Sequence, residues 1–592
     1  MVVLIAGLAP ATEVPLGHPD FHPSPEHPVG FRGDGNGVFP GATPPTVWSD
    51  KYGPELGTNV IWKTPMPGWT CSSPIVVGQR VFTSADPDLL VCVDANTGKI
   101  LWQKQVDHLA LWPAEDAKKA REQWNQELAI MREFWTAGQE LAFMNGAFRE
   151  NVGVEKQVPA LKLADAEARK ARLAKLSGEH TWTFETAGFR QGYDLAWNMY
   201  KSKKHEGFSD EEAKKHLIIR QELFTKYGFN FEQWRGYLGN TFQTPTSDGK
   251  CVYVAMAYGQ VACYDLEGNL KWMQFLHPAG KDYTPGKDLK QPWQETGHCP
   301  SPLLIGDRLI VHGKGYGSGK DGAKNRVVAL DKNTGKVLWE VRIGRLTRNV
   351  GSPRAVKVNG VDLIVLSNGA ILQGSDGKIL DEDIIKSRGT TISCVATDGN
   401  KVYFNWCVTT DGQRDKNFAE AFQLDLGTTG LTAKKLWTAA VPNCDRVGPT
   451  LSDGVIYVGC DRFYTVDEAS GTVTELLKEV KEKKCNGNTP PSVVGHHVFW
   501  VGGENGKVLV TTAEKDVKIV AANTMCIDVR TDHDRVCKGT MPLDDYLKKY
   551  GMDKDRFPTV YATCGGPFFQ GTRMYLRTTE YLYCIAKTKE GN

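Results

Sequence analysis

The chain lacks a charge excess: 71 Lys and Arg stand against 69 Asp and Glu, a formal +2 over 592 residues. With no basic field to gather phosphates, nothing points to nucleic acid or an anionic membrane as a partner. No apolar run reaches the roughly 18 residues that a spanning helix needs, so no transmembrane segment is expected. Cysteine is not scarce, at 14 residues. Yet no Cys-x-x-Cys, Cys-x-x-Cys-His or Cys-Cys occurs. Those absences remove the paired zinc pattern and the haem-attachment motif. Disulfides stay open for an exported chain, with a connectivity that spacing does not give.

The N-terminus adds to the export reading. Met1–Ala11 has a short apolar core and a small-residue site at Ala9-Pro10-Ala11, but no positively charged start. Residues 1–20 therefore read as a truncated signal segment, 21–58 as an N-terminal extension, and the location as periplasmic or secreted.

What the sequence does contain is repetition. Eight times a short apolar strand runs into a Gly/Asp turn and a second apolar strand. Seven of the openings carry a proline, at Pro74, Pro245, Pro302, Pro353, Pro449, Pro491 and Pro567; the eighth, near Ser393, has none. The best copies close on an aspartate turn and a tryptophan, as in Asp94–Trp102 and Asp331–Trp339; further closing tryptophans are Trp272 and Trp437. Each unit reads as four antiparallel strands, one blade of a propeller, because such a module cannot bury its faces alone. The last unit ends at Tyr583–Ala586 without a tryptophan strand, and Asn59–Lys63, with Trp62, supplies the missing one. An N-terminal strand in the last blade would close the ring and hide both edges. The expected fold is an all-β, eight-bladed propeller over 59–106 and 239–592; seven blades result if the fourth or fifth unit is misread.

The Asp-x-x-Thr-Gly-Lys-x-x-Trp pattern resembles the quinoprotein-type, PQQ-like eight-bladed propellers. Phe31–Gly37, Trp48-Ser49 and Ile61–Lys63 look like the secreted branch of that superfamily common in planctomycete-type bacteria. The resemblance implies a fold in which glycine makes the turn and tryptophan packs between blades. It does not by itself imply the quinone.

Two stretches break the rhythm. Residues 107–238 read as a mainly helical insertion between blades one and two. Ala117, Ala120, Trp124, Leu128, Met131 and Trp135 recur at helical spacing, a third stretch covers Ala164–Leu176, and Ser209–Glu212 is a capping box. Residues 522–563 form a second insertion, with a short helix expected at Leu543–Tyr550. Both insertions, and the 273–298 connection, follow an outermost strand and precede an innermost one. All three should therefore emerge on one face and cover the mouth of the central channel as a lid.

The residues ahead of the inner strands point to the same mouth. Cys71, Cys299 and Cys564 each sit three places before a proline; Cys444 and Cys485 lie slightly further ahead, and Cys394 falls in the proline-less copy. Beside them stand Asn240, His298, Arg348, Asn349, Arg388, Asn443, Asp445, Arg446 and Asn486. Neutral and cationic donors of this mix suit an anionic or polyhydroxylated ligand, and thiolates with His298, Cys299 foremost, suit a soft metal. Packing or disulfides are the alternative for the same cysteines. Cys92, Cys263 and Cys584 precede the aspartate turn on third strands and read as core.

Three functions compete. One is a scaffold binding a protein partner or a small-molecule ligand without chemistry; the resemblance offers as its relative the propeller lipoprotein of the outer-membrane barrel-assembly machinery. Another is an alcohol or sugar dehydrogenase using PQQ and calcium. The third is a soft-metal or redox site at the mouth. The dehydrogenase reading requires calcium carboxylates and a catalytic aspartate that match no motif here, Asp445 being the lone carboxylate before an inner strand. No catalytic residue is assigned. Asp34-Gly-Asn36-Gly resembles a calcium loop but lacks the closing glutamate and reads as a turn.

Overall fold

A computed structural model describes residues 14–50, 56–67, 70, 72–85, 88–107, 110, 113–119, 122, 241, 243–256, 259–276, 300–314, 324–345, 351–386, 394–410, 413–441, 448–459, 463–476, 489–501, 507–524, 565–578 and 581–588. Their strands form eight antiparallel sheets, seven with four strands and one with a fifth strand added. The innermost strands begin at Ile75, Thr246, Leu303, Arg354, Ala396, Thr450, Ser492 and Phe568. In seven of them the residue just before is the proline of the repeat. That position suits a residue with no N–H, since the first residue of a strand can forgo a ladder bond. The proline-less unit starts its strand at the equivalent place, so the count is eight.

The ring closes as the missing strand requires. Val60–Pro65 pairs antiparallel with Tyr581–Ile585, in a register that sets Lys63 against Tyr583. This outermost strand of blade eight therefore comes from the other end of the chain.

The aspartate turn and the tryptophan work together across blade boundaries. The Asp94 carboxylate accepts from the amide (2.7 Å) and the hydroxyl (2.9 Å) of Thr97, and Asp331 does the same for Thr334 at 2.8 and 2.9 Å. These bonds hold both carboxyls below the usual range. The turn so fixed presents the carbonyl after the aspartate to the indole of the previous blade. Trp62 Nε1 donates to Ala95 O at 3.2 Å, Trp102 to Leu266 O at 3.1 Å, Trp272 to Lys332 O at 2.8 Å and Trp437 to Glu468 O at 2.8 Å. The indole then covers the turn glycine. At Gly335, φ is +72° and an added Cβ would lie 2.5 Å from the Trp272 ring. Gly335→Ala is thus expected to cost about 2–4 kcal/mol, from left-handed strain plus overpacking. Denaturant unfolding of the variant checks this, with Gly306→Ala separating the two causes, since Gly306 has φ +56° but open space around it.

The core lies on the blade faces that meet at blade boundaries. Within a blade, second-strand aromatics sit beside the tryptophan, as Phe82 and Trp102 at 5.7 Å, Tyr253 and Trp272 at 6.3 Å and Tyr403 and Trp437 at 6.3 Å; across a boundary Trp102 meets Tyr264 of the next blade at 6.5 Å. The core cysteines expected at 92, 263 and 584 are buried there. Of the helical insertion, only 107, 110, 113–119 and 122, all near its start, are described, and 114–119 are helical. The remainder, and 525–564, lie outside the described residues. Strand pairing in blade seven continues to Thr524.

Candidate functional site

The innermost strands all start on one face and turn back on the other, so their first residues form a ring at one mouth of the channel. Two places before each strand stand Ser73, Thr244, Ser301, Ser352, Cys394, Gly448, Pro490 and Gly566. The hydroxyls link neighbouring blades. Ser73 N donates to Thr244 Oγ1 (3.3 Å), Thr244 N to Ser301 Oγ (3.0 Å) and Ser301 N to Ser352 Oγ (3.0 Å). A serine or threonine beside the proline thus caps the amide of the preceding blade. The connections 107–245, 276–302 and 525–567 each join an outermost strand to the next innermost one, so they leave the sheets on this face.

The chain's own N-terminal segment, residues 14–50, works as a strap: residues 29–39 lie along the inner strands in the channel, and the flanks pack on the far-face turns and on blade seven. Val38–Phe39 runs parallel to Val493–Val494, the inner strand of blade seven. Val29 bridges to Ser247 of blade two. At the turns on the far face, Gly571 N donates to Gly17 O (2.6 Å) and Thr43 N to Gly571 O (2.7 Å). Trp48 stacks over Phe499 with ring centroids 6.3 Å apart. The expected turn at Asp34–Gly37 is present, with Asn36 N donating to Asp34 Oδ1 at 2.8 Å.

From this strap Arg32 reaches the level of the strand beginnings. It is 5% exposed. Its Nη1 donates to Pro449 O (3.1 Å) and Cys394 Sγ (3.3 Å), and its Nη2 to Asn36 O (2.9 Å), Pro491 O (3.3 Å) and the Thr450 hydroxyl. The guanidinium therefore ties three blades to the strap through neutral acceptors. A second buried arginine, Arg354 of blade four, grips the strap from the side. It donates to Asp34 O, to Asn36 Oδ1 at 2.7 Å and to Thr397 Oγ1 at 3.3 Å. Burial pushes Arg354 below the ordinary arginine range, against the Asp34 carboxylate and with the Arg32 cation. Gly35 makes this fit possible: with φ +93°, a Cβ there would sit 1.4 Å from Arg354 Nη1.

Of the residues expected at the mouth, Cys394 is placed: buried, in the strand-head ring and against Arg32. Cys71, Asn240, His298, Cys299, Arg348, Asn349, Arg388, Asn443, Cys444, Asp445, Arg446, Cys485, Asn486 and Cys564 lie outside the described residues. Sequence reasoning missed Arg32 and Arg354. The available signal was an arginine inside a glycine-rich run, where the backbone can pass close to other groups.

On the strap side, Asn36, Val38, Thr397, Asp398, Ser452, Asp453 and Glu468 line a polar cleft of about 340 Å³. Among the described residues no three His, Cys, Asp or Glu side chains gather into a metal site. The described part of the mouth offers hydroxyls, one thiol and a guanidinium but no carboxylate. Those donors do not make a cradle for the calcium ion that a quinone site requires.

A family model described as outer membrane protein assembly factor BamB matches residues 57–114 and 166–475. Among solved structures, BamB from Moraxella catarrhalis aligns at 12% identity and TM-score 0.35, over 57% of this chain and 82% of that one. A europium-containing methanol dehydrogenase aligns at 12% and 0.38, over 87% and 81%. The quinohemoprotein alcohol dehydrogenase from Comamonas testosteroni aligns at 10% and 0.29, over 76% and 72%. No curated protein matches the sequence.

Proposed function

The chain belongs to the PQQ-like propeller family whose model is described as outer membrane protein assembly factor BamB, and from that premise we propose that it is a binding scaffold acting in the periplasm or outside the cell. Its partner is a protein segment or a small anionic or polyhydroxylated ligand, received at the mouth that carries the interruptions. The two insertions, 107–238 and 522–563, act as the lid over that mouth. The polar residues ahead of the inner strands, His298, Arg348, Arg388, Asn443 and Arg446 among them, supply the donors.

The observation that carries this reading is the strap. A propeller whose channel is filled from one side is a blind funnel, open to a partner from the other side only. The guanidinium at its floor is matched by carbonyls, a hydroxyl and a thiol rather than by a carboxylate. An electropositive floor favours an acidic or oxygen-rich partner. The family description names an assembly factor, which favours a protein as that partner. No helix among the described residues is long and apolar enough to cross a membrane.

Reconstitution separates this reading from a quinoprotein dehydrogenase. Purified protein loaded with PQQ and calcium is expected to reduce no dye with alcohols or sugars as donors. Turnover above the cofactor-only control would overturn the scaffold assignment.

A further inference from the structure

Blade two carries two thiols that take no part in the channel. Cys251 opens its second strand, Cys251–Ala255, and Cys263 lies in its third, Gln260–Asp265. The register sets Cys251 opposite Asp265 and Tyr253 opposite Cys263. The two cysteines are therefore diagonal neighbours on one face of the sheet, and they pack in one cluster. Both are unoxidised. Cys263 is buried against Trp272 and Tyr253, whereas Cys251 is half-buried at the edge of the same cluster.

The other blades make this pair stand out. Third-strand cysteines recur at Cys92 in blade one and Cys584 in blade eight. There the second strands open with Arg80 and Arg573, and in blade three with Arg308. In blade two the arginine position holds Cys251. A lone core thiol has become a dithiol whose second member, Cys251, is only half-buried.

We propose that Cys251 and Cys263 form an oxidisable dithiol that closes to an intrablade disulfide by exchange with an external disulfide. The Cys251 thiolate attacks one sulfur of the external disulfide and expels the first thiolate. Cys263 then loses its proton and attacks the Cys251 sulfur of the mixed disulfide, expelling the second. Two electrons and two protons leave the protein, and the oxidant departs as two thiols, so the step balances. The electrostatic surroundings fit these roles. The neighbouring Cys263 thiol holds the Cys251 thiol below the ordinary range despite burial and the Asp248 carboxylate, with Lys271 adding a nearby cation. The Cys251 neighbour and burial push the Cys263 thiol up, making it the proton holder. Asp265, facing the pair, is engaged by Lys271 at 3.1 Å. Cys92 and Cys584, pushed up to about 12 by burial, are expected to stay thiols.

The test uses the full chain in glutathione buffers, fully oxidised or fully reduced, acid-quenched and then alkylated in denaturant. Cleavage after lysine releases residues 251–271 as one peptide holding both cysteines. In the oxidised sample it should be unalkylated and lighter by two hydrogens than the free dithiol; in the reduced sample it should carry two alkyl groups. Cys251→Ser should abolish closure and leave Cys263 alkylated. Cys263→Ser should instead trap glutathione on Cys251. A peptide alkylated twice in the oxidised wild-type protein would overturn the proposal. So would glutathione retained on wild-type Cys251 beside an alkylated Cys263.

Discussion

Replacing Arg32 by methionine is expected to lower the unfolding free energy by about 2–4 kcal/mol, the loss of donors to two buried carbonyls less the relief of a buried cation. The guanidinium accepts nothing and donates to the carbonyls of Asn36, Pro449 and Pro491. Methionine has a similar reach but no donor, so the Asn36 and Pro449 carbonyls lose that donor in a buried site, while Pro491 O keeps the Thr450 hydroxyl at 2.6 Å. Each orphaned acceptor carries a penalty of about 1–3 kcal/mol. Relief from burying a charge offsets part of that sum, which is why the expected loss is smaller than two full penalties. Arg32→Lys should recover less than half, because one ammonium cannot span Pro449 and Pro491 in a planar fork. Denaturant midpoints measure the loss, and faster proteolysis within residues 14–50 should accompany it. A change under about 1 kcal/mol would mean that the strap is held by its strand pairing alone.

Trp62→Ala is the second large effect, at about 3–5 kcal/mol for a buried tryptophan emptied to a methyl group. Trp62 is 7% exposed, covers Gly98 of blade one and lies tilted against Tyr575, with ring centroids 6.1 Å apart. Its indole also donates to Ala95 O. Chemically the loss resembles that at Trp437. Topologically it does not, because Trp62 sits on the strand that joins the two ends of the chain. Opening there exposes two sheet edges at once, whereas opening beside Trp437 leaves covalent connections on either side. Trp62→Ala should therefore unfold at lower denaturant than Trp437→Ala and should aggregate on refolding. Equal midpoints would mean that the N-terminal strand adds no more than any other blade junction.

The repeat was legible because its signals are local. A proline before each inner strand and an aspartate turn before a tryptophan specify the blade within about 45 residues. Even the closing strand could be read, since Asn59–Lys63 supplies what the last unit lacks. The strap was not legible. Phe31–Gly37 has no period, and Arg32 finds acceptors in residues beyond position 390. Nothing in a sequence window reports pairing over that distance. Cys394 shows the same limit from the other side: the pattern flagged it as a mouth residue, but its neighbour Arg32 came from outside the repeat. Cys251 was passed over because one thiol at a strand start carries no signal until the register sets Cys263 beside it.

The central claim is that the strap fills the channel and leaves a funnel open on one face. Amide hydrogen exchange of the intact protein tests it most directly, read over residues 29–42 beside the inner strand of blade seven. Strap amides such as Val29, Gly41 and Ala42, which donate to Ser247, Leu16 and Phe39, should exchange as slowly as the Ser492–Val494 strand, at rates set by sub-global or global opening. Exchange of 29–42 within seconds, at the rate of a free peptide, while Ser492–Val494 stays protected, would contradict the account.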